Sequence, residues 1–87
     1  MKKYSVVIKV VGNPDFGQNP NSNLGIPTQT IYKDSIEELQ TSFRAFIRKN
    51  NLGGGNVPSA NVYCGKEYIG KISYNGRFWD KTSIENV

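Results

Sequence analysis

VYCGKEYIGKISYNGRFWD, residues 62–80, decides the fold class. Apolar and polar residues alternate, a turn signal falls at Gly65-Lys66, the alternation resumes, and a second turn signal falls at Asn75-Gly76. Period-two alternation marks half-buried strands. Asn-Gly suits a two-residue type I′ turn because both positions tolerate positive φ. The stretch therefore predicts a three-stranded meander over about 60–81, carrying Tyr63, Tyr68, Tyr74, Phe78 and Trp79. A two-residue turn at Asn75-Gly76 sets Tyr74 opposite Arg77 and Ile72 opposite Trp79. Ile72 and Trp79 then share one face, and Lys71, Ser73 and Phe78 the other.

The strands before it read the same way. Tyr4, Val6, Ile8 and Val10 alternate with Ser5, Val7, Lys9 and Val11, giving a first strand. Thr28 to Lys33, TQTIYK, is β-branched and aromatic and returns antiparallel to it. Between them, residues 12–25 (GNPDFGQNPNSNLG) form a loop of turn-forming residues, longer than a hairpin connection. Such a loop is either a floppy tip or a functional element, tethered through Phe16 and Leu24 if it packs.

One helix is expected over about 35–50. Ser35-Ile36-Glu37-Glu38 matches a capping box, in which the Ser35 hydroxyl and the Glu38 carboxylate each satisfy the other's amide. Ile36, Leu39, Phe43, Phe46 and Ile47 then recur at spacings of three and four, one apolar stripe. Arg44, Arg48 and Lys49 fall in the last turns, where the helix dipole favours cations. Asn50-Asn51-Leu52-Gly53-Gly54-Gly55 ends it, and the glycines read as a flexible crossing. The fold class is α+β. A single small domain spans residues 1–87, with an antiparallel sheet of four or five strands, ββαββ(β) in order, packed on one face by one amphipathic helix.

Composition narrows function by exclusion. The 87-residue chain has one cysteine, Cys64, and no histidine. An intrachain disulfide cannot form, and Ser-His-Asp and Cys-His catalysis is excluded. The acidic residues are dispersed: Asp15, Asp34, Glu37, Glu38, Glu67, Asp80 and Glu85. Helix capping accounts for Asp34, Glu37 and Glu38. A carboxylate pair such as Glu67 with Asp80 would need the fold to assemble it. No metal-ligand spacing exists, and the glycine triplet lacks the ending and the following helix of a phosphate-binding loop. The expectation is no enzyme and no cofactor. Lys9 and Gly12 interrupt the N-terminal apolar run, and no run approaches a membrane span, so a cytoplasmic protein with no membrane partner is expected.

What remains is surface. Net charge is +4 at pH 7, which suits nucleic acid or an acidic protein and equally plain solubility. Two binding patches stand out. One is the helix edge, Arg44, Arg48 and Lys49. The other is the meander, Lys66, Lys71, Tyr74, Arg77 and Phe78, where cations interleave with aromatics. Against these stand a solvated helix face and ordinary cross-strand pairs.

No motif matches a named family. The aromatic signature of the RNA-recognition sheet is missing, as is the C-terminal basic helix of double-stranded-RNA-binding domains. In outline, the run Thr30 to Phe46 and the Asn-Gly meander give a chain that resembles the short anti-CRISPR and other host-inhibition proteins of phages and mobile elements. That resemblance implies an inhibitor or adaptor of a larger protein or nucleoprotein complex that handles nucleic acid. The alternative is direct, sequence-nonspecific nucleic-acid binding through a basic-aromatic sheet face. A monomer is expected, or a homodimer through the last strand, Arg77 to Lys81, as an exposed edge.

Overall fold

The computed structural model describes residues 3–58 and 60–82. The tail beyond Thr82, which includes Glu85, lies outside the described residues. One five-stranded antiparallel sheet carries one helix on one face. The strands are β1 (Tyr4–Ile8), β2 (Gln29–Lys33), β3 (Ala60–Cys64), β4 (Glu67–Ile72) and β5 (Phe78–Asp80), and the helix is α1 (Ile36–Lys49). Their order across the sheet is β2-β1-β3-β4-β5, so the helix crossing lays β3 on the free side of β1.

The helix forms where its caps put it. Ser35 is in extended conformation, and its hydroxyl accepts from the Glu38 amide at 3.2 Å. The Glu38 carboxylate accepts from the Asp34 amide, one residue before the expected one, and from the Ser35 hydroxyl. Leu39, Phe43 and Phe46 point into the sheet and are buried, while Ile36 and Ile47 are half-buried on the flank of the stripe.

Strand pairing lines up the core. Val6 faces Ile31 on one side and Val62 on the other. Ile8, Ala60, Ile72 and Phe78 form one row across β1, β3, β4 and β5. With Val10, Leu52 and Val57, these residues close against α1. Among the described residues, Phe43 is the largest fully buried side chain, with Ile8, Leu39 and Ile72 next.

The β4–β5 hairpin corrects the expected register. The Gly76 amide donates to the Ser73 carbonyl at 2.8 Å, and the Ser73 amide donates to the Arg77 carbonyl at 2.9 Å. The loop is thus three residues, Tyr74-Asn75-Gly76, with Gly76 in left-handed backbone at φ +88°. This is a type I turn followed by a bulge, which Asn-Gly also suits. One added residue moves every later side chain to the other face. Ile72 therefore pairs with Phe78, and Trp79 with Lys71. Phe78 packs on the core, and Trp79 lies on the open face, the reverse of the sequence expectation.

Gly70 makes room for that arrangement. A Cβ there would sit 2.2 Å from the Trp79 carbonyl oxygen and 2.9 Å from the Phe78 ring. Gly70→Ala forces the β4–β5 edge apart. We expect a loss of about 2 kcal/mol, within the range for overpacked cores, measured as a lower urea midpoint. An unchanged midpoint would show that β5 yields freely.

The long loop and the glycine crossing are built, not slack. Asn13 and Asn56 are both buried. The Asn56 amide group donates to the Val11 carbonyl at 2.9 Å and to Gln18 Oε1 at 3.0 Å. Its own Oδ1 accepts from the Gly53 amide. Gln18 Oε1 also accepts from the Asn13 backbone amide, and Asn13 Oδ1 caps the short 3-10 turn at Pro14–Phe16. The expected tethers do not hold this loop: Phe16 is 78% exposed and Leu24 is exposed as well. Polar side chains hold it instead. Residues Gly54–Asn56 form a second 3-10 turn rather than a loose crossing.

Candidate interaction face

The helix covers one face of the sheet, and no element covers the other among the described residues. Alternation sends Ser5, Val7, Thr30, Tyr32, Asn61, Tyr63, Tyr68, Lys71 and Trp79 to that open face. One row runs Tyr32–Ser5–Tyr63–Tyr68 across four strands. The next runs Thr30–Val7–Asn61–Lys71–Trp79 across all five. Ser5 is buried on an otherwise open surface because a tyrosine stands on either side of it. Tyr63 and Tyr68 meet edge to face with centroids 5.9 Å apart, the preferred aromatic geometry. Tyr32 remains 60% exposed.

The β5 end of the face is fixed by a small network. The Trp79 indole N–H donates to Ser73 Oγ at 3.1 Å. Ser73 in turn donates to Asn75 Oδ1, which also accepts the Arg77 amide. The Arg77 guanidinium lies 4.2 Å above the centre of the Trp79 ring, a cation–π contact. Arg77 and Trp79 thus present one composite surface, with Lys71 beside it on β4. None of the face positions just named is acidic.

The eight sequence-predicted site residues do not gather in one place. Lys71 and Arg77 flank Trp79. Lys66 sits in the β3–β4 turn at the opposite end of the sheet, where the Gly65 amide donates to the Lys3 carbonyl. Tyr74 leans to the helix side, its hydroxyl donating to the Leu52 carbonyl at 3.2 Å. Phe78 is in the core cluster. Arg44 lies against the β4–β5 turn: its guanidinium donates to the Gly76 carbonyl, with Gln40 donating to the same oxygen. Arg48 and Lys49 are exposed on α1, across the sheet from Lys71. Tyr32, Tyr63, Tyr68 and Trp79 are face residues outside the two sequence-predicted patches. The register that groups them depends on strand order, which alternation within one strand does not reveal.

The remaining chemical candidates are dispersed. Glu67 pairs with Lys81 at 3.9 Å, while Asp80 accepts the Thr82 amide at 2.8 Å, so they are not joined as a carboxylate couple. That amide, with the Thr82 hydroxyl and Lys81, holds the Asp80 carboxyl below its ordinary pKa. Cys64 is half-buried opposite Tyr4. Among the described residues, no three His, Cys, Asp or Glu side chains come together to hold a metal ion. No helix among them is long and apolar enough to cross a membrane. A shallow cavity of about 290 Å³ opens between the end of β1 and the long loop, beside Lys9, Ser22, Asn23 and Thr28.

No family model, curated protein or solved structure matches the chain.

Proposed function

We propose that the chain is a small non-enzymatic binding protein that lays its open sheet face on a larger protein or nucleoprotein assembly, as an inhibitor or adaptor of nucleic-acid handling. One observation carries this reading. An uncovered face combines Tyr32, Tyr63, Tyr68 and a Trp79–Arg77 stack, with no acidic side chain among its register positions. Tyr, Trp and Arg are the residue types that dominate interface energetics, and two of them here are held rigid by the Ser73–Asn75 network. The outline resemblance to short host-inhibition proteins is what selects a nucleic-acid-handling complex as the class of target. Cytoplasmic action follows from that target.

The second reading, direct nucleic-acid binding, draws on the same mixture of cations and aromatics. The distribution of charge weighs against it. A nonspecific binder gathers its cations along one backbone track, whereas Arg48 and Lys49 lie across the sheet from Lys71 and Arg77. Arg77 also occupies the Trp79 ring that a base would stack on.

The test is capture of the tagged protein from lysate, with and without nuclease, followed by affinity measurement on the recovered complex. Arg77→Glu is expected to weaken binding tenfold or more, equivalent to about 1.4 kcal/mol, with Arg48→Glu near wild type because one flat partner cannot touch both sides of the sheet. Loss with Arg48→Glu alone would move the site to the helix. Recovery of nucleic acid alone, lost in high salt, would favour direct binding.

A further inference from the structure

The two edges of the sheet are unlike. β5 has three residues, ends in Asp80, and is followed by Lys81, which pairs with Glu67 on β4. Short length and charge protect an edge from pairing. β2 has five residues, Gln29–Lys33, paired with β1 in continuous register, and its only charge lies at one end. Its outer row of backbone groups is a template for another strand. We infer that a second copy of this chain adds there, joining β2 to β2 antiparallel about a two-fold axis perpendicular to the sheet.

Symmetry and the pleat restrict how this can happen. Residues directly opposite in an antiparallel pair point to the same face, and this two-fold keeps helix side with helix side. Only registers centred on a residue satisfy both conditions. Centring on Ile31 pairs the whole strand: Ile31 meets its copy, Thr30 meets Tyr32, and Lys33 meets Gln29. No like charges are opposed.

The helix supplies a second, independent match. Successive helical residues turn by about 100°, and Gln40 and Arg44 reach toward the β4–β5 turn. The other flank, on the β2 side, therefore carries Glu38, Ser42, Ala45 and Lys49. The two-fold sets the two helices antiparallel. Small Ser42 then meets small Ala45, and each Glu38 meets the Lys49 of the other copy. A flank with acid at one end, base at the other and small residues between is complementary to itself, as an isologous interface requires. The open faces of the two copies then continue as one surface, with Tyr32 of each beside the axis.

Sedimentation of the full chain is the test. A mass rising with concentration to twice 9.7 kDa is expected. Glu38→Lys and Lys49→Glu should each weaken the dimer at least tenfold, and mixing the two variants should restore it. That rescue separates the contact from any loss of helix capping in Glu38→Lys. Hydrogen exchange should show β2 amides gaining protection with concentration. A monomer at every concentration overturns the inference. So does a dimer indifferent to both single variants, or one that protects β5 in place of β2. A monomer whose β2 takes up an extended peptide would show that the edge pairs with a foreign strand instead.

Discussion

Phe43→Ala is expected to remove a large fraction of the protein's stability, about 3–5 kcal/mol. Phe43 is the largest fully buried side chain, and it sits on α1 with Leu39, Val6, Ile8 and Val62 in the same cluster. Truncating a buried phenylalanine removes its transfer free energy and leaves a cavity, together about 3–5 kcal/mol. Stability of about 0.05–0.15 kcal/mol per residue gives this 87-residue chain a total of only about 4–13 kcal/mol. The loss is therefore a large fraction of the whole. Little of it can be recovered by collapse, because α1 is the one helix covering this face among the described residues. Equilibrium urea unfolding followed by tryptophan fluorescence measures it directly. A loss under about 1 kcal/mol would mean that the helix repacks, and that the single-layer description of the core is wrong.

Asn56→Ala is expected to cost about 3 kcal/mol, with the damage concentrated far from residue 56 in sequence. One buried side chain binds the Gly53 amide, the Val11 carbonyl and Gln18 Oε1. Its removal leaves donors and acceptors unpaired around a buried position, at about 1–3 kcal/mol for each group left without a partner. The sheet and helix make no use of these bonds, so the core should survive. Amide hydrogen exchange is the sharper readout. Loop amides such as Gly12, Asn13 and Gln18 should lose protection while β1 and β3 keep theirs. Asn56→Asp refines the test, because it keeps the acceptor for Gly53 and loses the donors. Its buried carboxyl faces two oxygens, so its pKa in the folded protein rises above the unfolded value. The variant should accordingly be more stable at low pH and lose that stability as pH rises. Uniform loss of protection across the chain in either variant would make Asn56 part of the global core instead.

Polar tethering of this kind was not legible in the sequence. Asn13, Gln18 and Asn56 sit in stretches that read as turn formers. The separations of 38 and 45 residues across their bonds leave no local signal. Phe16 and Leu24 looked like the anchors because they are apolar, and both are exposed. Hydrophobicity predicts burial only when an element carries the residue to the core. A 3-10 turn capped by Asn13 points Phe16 outward.

The amino-acid sequence by itself determined the local elements. The capping box and the stripe of Leu39, Phe43 and Phe46 place the helix to within one residue at each end, because capping and amphipathic periodicity act within a few turns. Alternation in Tyr4 to Val10 and in Val62 to Ile72 places the strands for the same reason. The tertiary structure decided what those elements face. Asn75-Gly76 is compatible with a two-residue or a three-residue loop. The choice fell to packing: the longer loop puts Phe78 over Gly70 and into the row with Ile8, Ala60 and Ile72, and sends Trp79 to the open side. A single residue of register thus fixed which aromatic stabilises the fold and which is offered to a partner. No local rule could supply that, because the answer lies in contacts between strands rather than within them.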